Sequence, residues 1–126
     1  VKKYELVAND TIVIGGATLT RIRALIDIQY EGSRHPSVVC GDFGGYVQSE
    51  ANLSHDGQCW ISGEGKAYGK SRVTENALLG NKGEVCQRAV IYGNAAVAGK
   101  VRGNAKVGGA VAVADTEVIE GITHLK

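Results

Sequence analysis

The sequence predicts an all-β chain, a parallel β-helix of triangular section behind an N-terminal antiparallel β cap. Three observations carry this. From Ile61 onward the odd positions are apolar or small almost throughout, the period-two alternation of a strand. Within that alternation a six-residue unit recurs, reading apolar-x-Gly-polar-small-x, so a turn interrupts the strand every six residues. The composition agrees: 126 residues carry 18 Gly but one Trp, one Phe, one Pro and no Met. A narrow interior of Val, Ile, Leu and Ala suits that palette, and the length is that of one domain.

Residues 1–46 do not repeat and read as the cap. Tyr4–Val7, Thr11–Ile14 and Leu19–Ile28 are β-prone runs, with Asn9-Asp10 and Gly15-Gly16 as the turns of an antiparallel meander. In the last run Ile22, Ala24, Ile26 and Ile28 share one face, and Arg21, Arg23 and Asp27 the other. Gly32 to Pro36 is a polar loop, and Gly41-Asp-Phe-Gly-Gly-Tyr46 leads into the first coil. A solenoid end needs such a cover, because unpaired edges and exposed core invite aggregation.

Residues 47–121 form the helix. Val47, Leu53 and Cys59 begin weak units in a shifted phase. The regular units start with Ile61-Ser-Gly-Glu-Gly-Lys66 and Ala67-Tyr-Gly-Lys-Ser-Arg72 and run to Ile119, with a four-residue unit at Val97-Ala-Gly-Lys100. Three units per coil, about 18 residues, stack Ile61/Leu79/Val97/Val113, Ala67/Val85/Val101/Ile119 and Val73/Ile91/Val107 as inward aliphatic columns. The two-residue deletion falls at one corner. Glu75, Gln87 and Asp115 stand where the unit otherwise favours Gly. Residues 122–126 are a tail.

Outward positions fall into three groups. The first holds Glu64, Lys66, Lys82, Glu84 and Lys100; the second Tyr68, Lys70, Arg72, Arg88, Arg102 and Lys106. The third has no charge: Thr74, Asn76, Leu78, Tyr92, Asn94, Ala96, Gly108, Ala110 and Ala112. An uncharged, mildly apolar face suits contact with another copy, a trimer or dimer, through Leu78, Tyr92, Asn94, Ala96, Ala110 and Ala112. A bland solvent face is the alternative.

The head motifs Arg21-Ile-Arg-Ala-Leu25, Gly41-Asp-Phe-Gly-Gly-Tyr-Val47, Ser49-Glu-Ala-Asn-Leu-Ser-His-Asp-Gly57 and Cys59-Trp-Ile61, followed by repeats like Ile91-Tyr-Gly-Asn-Ala95, resemble a family of small phage and prophage proteins. The likeness runs from about Tyr4 to Val113 and implies phage origin and fold, with no general activity to transfer. The repeat alone also resembles the hexapeptide acyltransferases, and with the six-residue unit this implies a left-handed helix.

Composition narrows the function. Lys plus Arg is 14 and Asp plus Glu 13, a net charge of +1, so neither a basic nucleic-acid coat nor an acidic DNA mimic is expected. No stretch is long and apolar enough to span a membrane, and residues 1–20 lack a signal-peptide pattern, so a cytoplasmic protein is expected; the absent initiator Met is read as processing or tag removal. Cys40, Cys59 and Cys86 are odd in number and widely spaced, against a disulfide framework or a zinc knuckle. His35, His55 and His124 lie too far apart in the fold for a zinc hydratase site, so no metal or cofactor is expected.

His55 is the best placed base for an acyltransferase, yet the long acceptor-loop excursion of those enzymes is missing; hydrogen bonding with Ser54 and Asp56 in a turn is the plainer role. Gly41-Asp-Phe-Gly-Gly lacks the Lys-Ser/Thr of a phosphate loop, and a strained turn needing glycine fits better. Arg21 and Arg23, near Tyr46, either hold a phosphate or carboxylate or pair with Asp27, Asp42 or Glu50. Trp60 points outward by parity, covered by the cap or serving as a contact anchor. Together with Lys70 and Arg88 these are the candidate binding residues. The expectation is a non-enzymatic phage protein that binds a host protein or a small anion, interfering with bacterial immunity by CRISPR inhibition or by sequestering a nucleotide signal. A virion assembly component is the alternative, and the acyltransferase a weaker one.

Overall fold

A turn every six residues leaves room for strands of two residues, too short to persist alone and stable only in stacked rows. The computed structural model of the protein describes residues 2–28, 38–80, 82–121 and 124–125. Within them the solenoid strands are β4 (Trp60–Ile61), β5 (Lys66–Ala67), β6 (Arg72–Val73), β7 (Leu78–Leu79), β8 (Glu84–Val85), β9 (Val90–Ile91), β10 (Ala96–Val97), β11 (Lys100–Val101), β12 (Lys106–Val107), β13 (Ala112–Val113), β14 (Val118–Ile119) and β15 (His124–Leu125). The cap strands are β1 (Tyr4–Ile14), β2 (Ala17–Ala24) and β3 (Phe43–Val47). The polar loop read at Gly32 to Pro36 lies outside the described residues.

Three parallel sheets form the walls: β4-β7-β10-β13, β6-β9-β12-β15, and β5-β8-β11-β14, the last extended by the cap to seven strands in the order β1-β2-β3-β5-β8-β11-β14. The register joins Ile61 to Leu79, Val97 and Val113; Ala67 to Val85, Val101 and Ile119; and Val73 to Ile91 and Val107. These are the columns the sequence predicts, and all are buried except Ile119, which packs against the core from partial exposure. The short corner at Ala98-Gly99 absorbs the deletion, because Lys100 still pairs with Glu84. His124–Leu125 pair with Lys106–Val107, extending the coil into residues read as a tail.

Upstream the phase shift has a simple origin. Val47 pairs with Ala67 and Leu53 bridges to Val73, so both occupy the same columns. The third column resumes at Ile61 rather than Cys59, since two extra residues widen the turn after Leu53. A short 3-10 turn at Glu50–Asn52, closed by a Ser49–Asn52 capping box, forms the preceding corner.

The cap departs from the expected meander. β1 is one strand, and only Gly15-Gly16, with φ of 55° and 85°, makes a hairpin turn. Val7 pairs with Arg21 and Thr11 with Thr20, so Ala8-Asn9-Asp10 bulges out of β1 instead of reversing it. β2 ends at Ala24, and Ile26 is 40% exposed, whereas Ile28 is buried and bridged to Val38. β3 joins the two parts, antiparallel to β2 on one edge and parallel to β5 on the other.

Candidate functional site

Each outward group of the sequence maps to one corner plus the strand that follows it. Arg21 and Tyr46 do meet, directly opposite one another on β2 and β3. Arg21 Nε donates to Asp10 Oδ2 at 2.7 Å, Nη1 to the Gly44 carbonyl at 2.9 Å and Nη2 to the Tyr46 hydroxyl at 2.7 Å. Its guanidinium also lies 4.5 Å from the Tyr46 ring centroid and 3.9 Å from Glu64. Every nitrogen is engaged: the three hydrogen bonds tie β1, β2 and β3 together, and Glu64 is the contact with the coil. The expected partners Asp27, Asp42 and Glu50 are replaced by Asp10, which the β1 bulge delivers. Arg23 pairs with Glu5 across β1 and β2, apart from Arg21's network. Asp42 and Asp27 instead accept the amides of Val39 and Cys40.

Trp60 is 2% exposed, the covered alternative of the two readings. Tyr4 meets it edge-on at 6.5 Å, and Ile28 and Val38 share its core cluster. Tyr4 also stacks on His55 at 4.2 Å and donates its hydroxyl to the Leu53 carbonyl at 2.6 Å. Burial, then the nearby Glu50 and Cys59, pushes the Tyr4 phenol up. His55 Nδ1 accepts the Lys3 amide at 3.1 Å, so Nε2 carries the proton and faces Glu50 Oε1 at 2.8 Å. Neither ring nitrogen is left for a general base. The bonds go to Lys3 and Glu50 rather than to Ser54 and Asp56, which bond each other.

Beside this cluster Lys3 is 1% exposed. Its Nζ donates to the Cys59 carbonyl at 2.6 Å and lies 3.2 Å from Cys59 Sγ. Burial lowers the ammonium against the opposing pull of Cys59, and burial raises the thiol against Lys3. No periodicity flags this pair.

The second outward group forms a basic strip. The Lys70 amide bonds the Gln87 carbonyl, so Lys70 and Arg88 stand on neighbouring corners about 4.8 Å apart along the axis. Arg72, Val90, Lys106 and His124 make the outward column on the adjoining sheet. Lys70, Arg72, Arg88 and Lys106 are exposed, and among the described residues none of their side chains has a hydrogen-bond or ion-pair partner. Within the same group Arg102 is engaged by Glu120; elsewhere Lys2 pairs with Glu50, Lys100 with Glu84 and Lys66 with a backbone carbonyl. Among the described residues outside the strip, Lys82 is the one cation whose side chain has no partner. Arg72 and Lys106, in the same outward group of the sequence, belong with Lys70 and Arg88 as candidate residues. Tyr68 leaves the strip, donating to Glu84 at 2.7 Å; burial and that carboxylate raise its phenol.

On the third group Ala110 and Ala112 are exposed and Ala96 partly so, while Leu78, 7% exposed, is already covered within the chain. Tyr92 packs over Gly108, where a Cβ would sit 2.2 Å from its ring, and hydrogen-bonds His124. The face is not free of charge: Glu75 turns outward at the corner apex, where alternation lapses, and with Asp56 and Asn94 lines a groove of about 500 Å³. The short corner leaves a notch of about 670 Å³ lined by Glu64, Lys82, Lys100 and Asp115, a lining of mixed sign.

Among the described residues no three His, Cys, Asp or Glu side chains converge as metal ligands, and no helix is long and apolar enough to cross a membrane. His35 lies outside those residues. No protein-family model matches the chain, and no curated protein matches it either. The chain is a parallel β-solenoid of about 18 residues per coil with an antiparallel N-terminal part.

Proposed function

We propose that this chain is a non-enzymatic binding protein that lies against an acidic surface of another protein. The supporting observation is the gathering of Lys70, Arg72, Arg88 and Lys106, with unpartnered side chains, on one strip, while among the described residues Lys2, Arg21, Arg23, Lys100 and Arg102 each pair with a carboxylate. Their spacing supports an extended partner: Lys70 and Arg88 are one coil apart, and Arg72 and Lys106 two coils, about 10 Å. A small anion calls for converging donors, which parallel columns do not supply. Arg21 is no substitute, since its nitrogens are taken. The resemblance of the head motifs to small phage and prophage proteins supports a host target, for example a bacterial-immunity protein such as a CRISPR effector whose surface is occupied.

The test is fluorescence anisotropy with a labelled polyglutamate peptide and a single-stranded DNA of equal charge at low salt. Polyglutamate binding should weaken at least about tenfold in the Lys70→Glu/Arg88→Glu double variant and persist in Lys82→Glu. Equal binding by the double variant, or none by the parent, overturns the strip; stronger DNA binding overturns the protein partner.

A virion assembly role is the second reading. It is favoured by β13, β14 and β15, each paired on one side only among the described residues, edges able to template end-on stacking.

A further inference from the structure

Independently of the partner reading, one pair of groups is placed for covalent chemistry. Lys3 and Cys59 are both buried, with Nζ and Sγ 3.2 Å apart. The amine is held by the Cys59 carbonyl at 2.6 Å and the Gly57 carbonyl at 3.4 Å, which fixes it against the sulfur. The thiol sits under a thin cover: the Ser54, Asp56 and Val73 carbonyls lie within 3.7 Å of it, and Asp56, Gly57 and Gln58 are exposed. One turn of chain separates it from water, and a molecule the size of hydrogen peroxide needs only that turn to breathe.

We propose that Lys3 and Cys59 are an oxidative crosslinking pair, joined by a peroxide through a direct sulfur–nitrogen bond. The Cys59 thiol passes its proton to the neutral Lys3 amine 3.2 Å away as its sulfur attacks one peroxide oxygen; the O–O bond breaks, the departing hydroxide takes that proton from nitrogen, and the products are a sulfenic acid and water. The Lys3 lone pair then attacks Sγ, the S–O bond breaks, and hydroxide leaves with a proton from nitrogen as a second water. Sulfur is oxidised by two electrons, the peroxide is reduced by two, and the pair loses one hydrogen from each atom. Burial, which lowers the Lys3 ammonium, favours the neutral amine this step needs. The bond ties the segment before β1 to the turn before β4, 56 positions along the chain.

The experiment uses the full chain with Cys40→Ala and Cys86→Ala, leaving Cys59 as its one thiol. After mild hydrogen peroxide the intact mass should fall by about 2 Da, peptide mapping should join Lys3 to Cys59, and dithiothreitol should restore the original mass. Lys3→Arg, with folding checked by circular dichroism, should instead carry Cys59 on to sulfinic acid, a gain of about 32 Da. An unchanged mass, or oxygen added at Cys59 with Lys3 unjoined in the parent, overturns the proposal. A gain of about 14 Da with the same residues joined marks an oxygen bridge and overturns the direct bond.

Discussion

Glu75 and Gln87 hold φ angles of 57° and 60° at corner positions where Gly63, Gly69, Gly93, Gly103, Gly109 and Gly121 are also left-handed. A Cβ there costs about 1 kcal/mol. Both residues offset it in the same way: Glu75 accepts the Gly93 amide at 2.8 Å and Gln87 the Gly103 amide at 2.6 Å, each stitching its corner to the next coil. The sequence marks these positions as departures from the repeat, but not the bond, because the donating amide is about a coil away. His55 shows the same gap: its motif is visible in Ser49–Gly57, its partner at Lys3 is not. Glu50 offers a pH test. The His55 hydrogen bond holds its carboxyl below the ordinary glutamate value; burial pushes the other way, and Lys2 adds to the lowering. The stability this contributes is present above about pH 4.3 and lost as pH falls through the lowered value. Glu50→Gln should therefore flatten the acid limb of a pH–stability profile measured by urea unfolding.

At the scale of elements, two-residue strands were legible because alternation and turns share one period. The cap was read less well. Asn9-Asp10 carries turn chemistry, and nothing local distinguishes a reversal from a bulge; the distinction lies in Arg21, which draws Asp10 into the network of β2 and β3. In Gly41–Tyr46 a strained turn needing glycine was legible, and the close contact at Gly44 and Gly45 was not. Gly41 is left-handed at φ 98°, but the tighter requirement is contact. A Cβ on Gly45 would lie 2.3 Å from the Gly65 carbonyl oxygen and 2.5 Å from the Ile61 side chain, and one on Gly44 2.5 Å from the Ile61 carbonyl oxygen. β3 must press this close to serve cap and coil together. Gly45→Ala should lower the urea unfolding free energy by about 3 kcal/mol, with Gly15→Ala, whose Cβ would meet open space, losing less.

For the molecule as a whole, the stacking was predictable because columns must match in polarity; the choice of docking face was not. Leu78 looked available from parity and is 7% exposed; Trp60, read as outward and either covered or an anchor, is 2% exposed with Tyr4 against it. What remains of the proposed self-contact is narrower, centred on Ala96 and Ala112, neighbours in one sheet. If copies associate there, Ala112→Arg should shift the sedimentation coefficient to that of a single chain without lowering thermal stability of the fold; an unchanged coefficient for an oligomeric parent moves the contact elsewhere. The placement of the cap has a consequence for synthesis. Lys3 and Tyr4 find their partners between Glu50 and Cys59, and β3 finds β5 at Lys66–Ala67, so the first half-chain can close on itself as it leaves the ribosome. Each later coil then needs only the edge already made, and the nascent chain never has to wait for its far end.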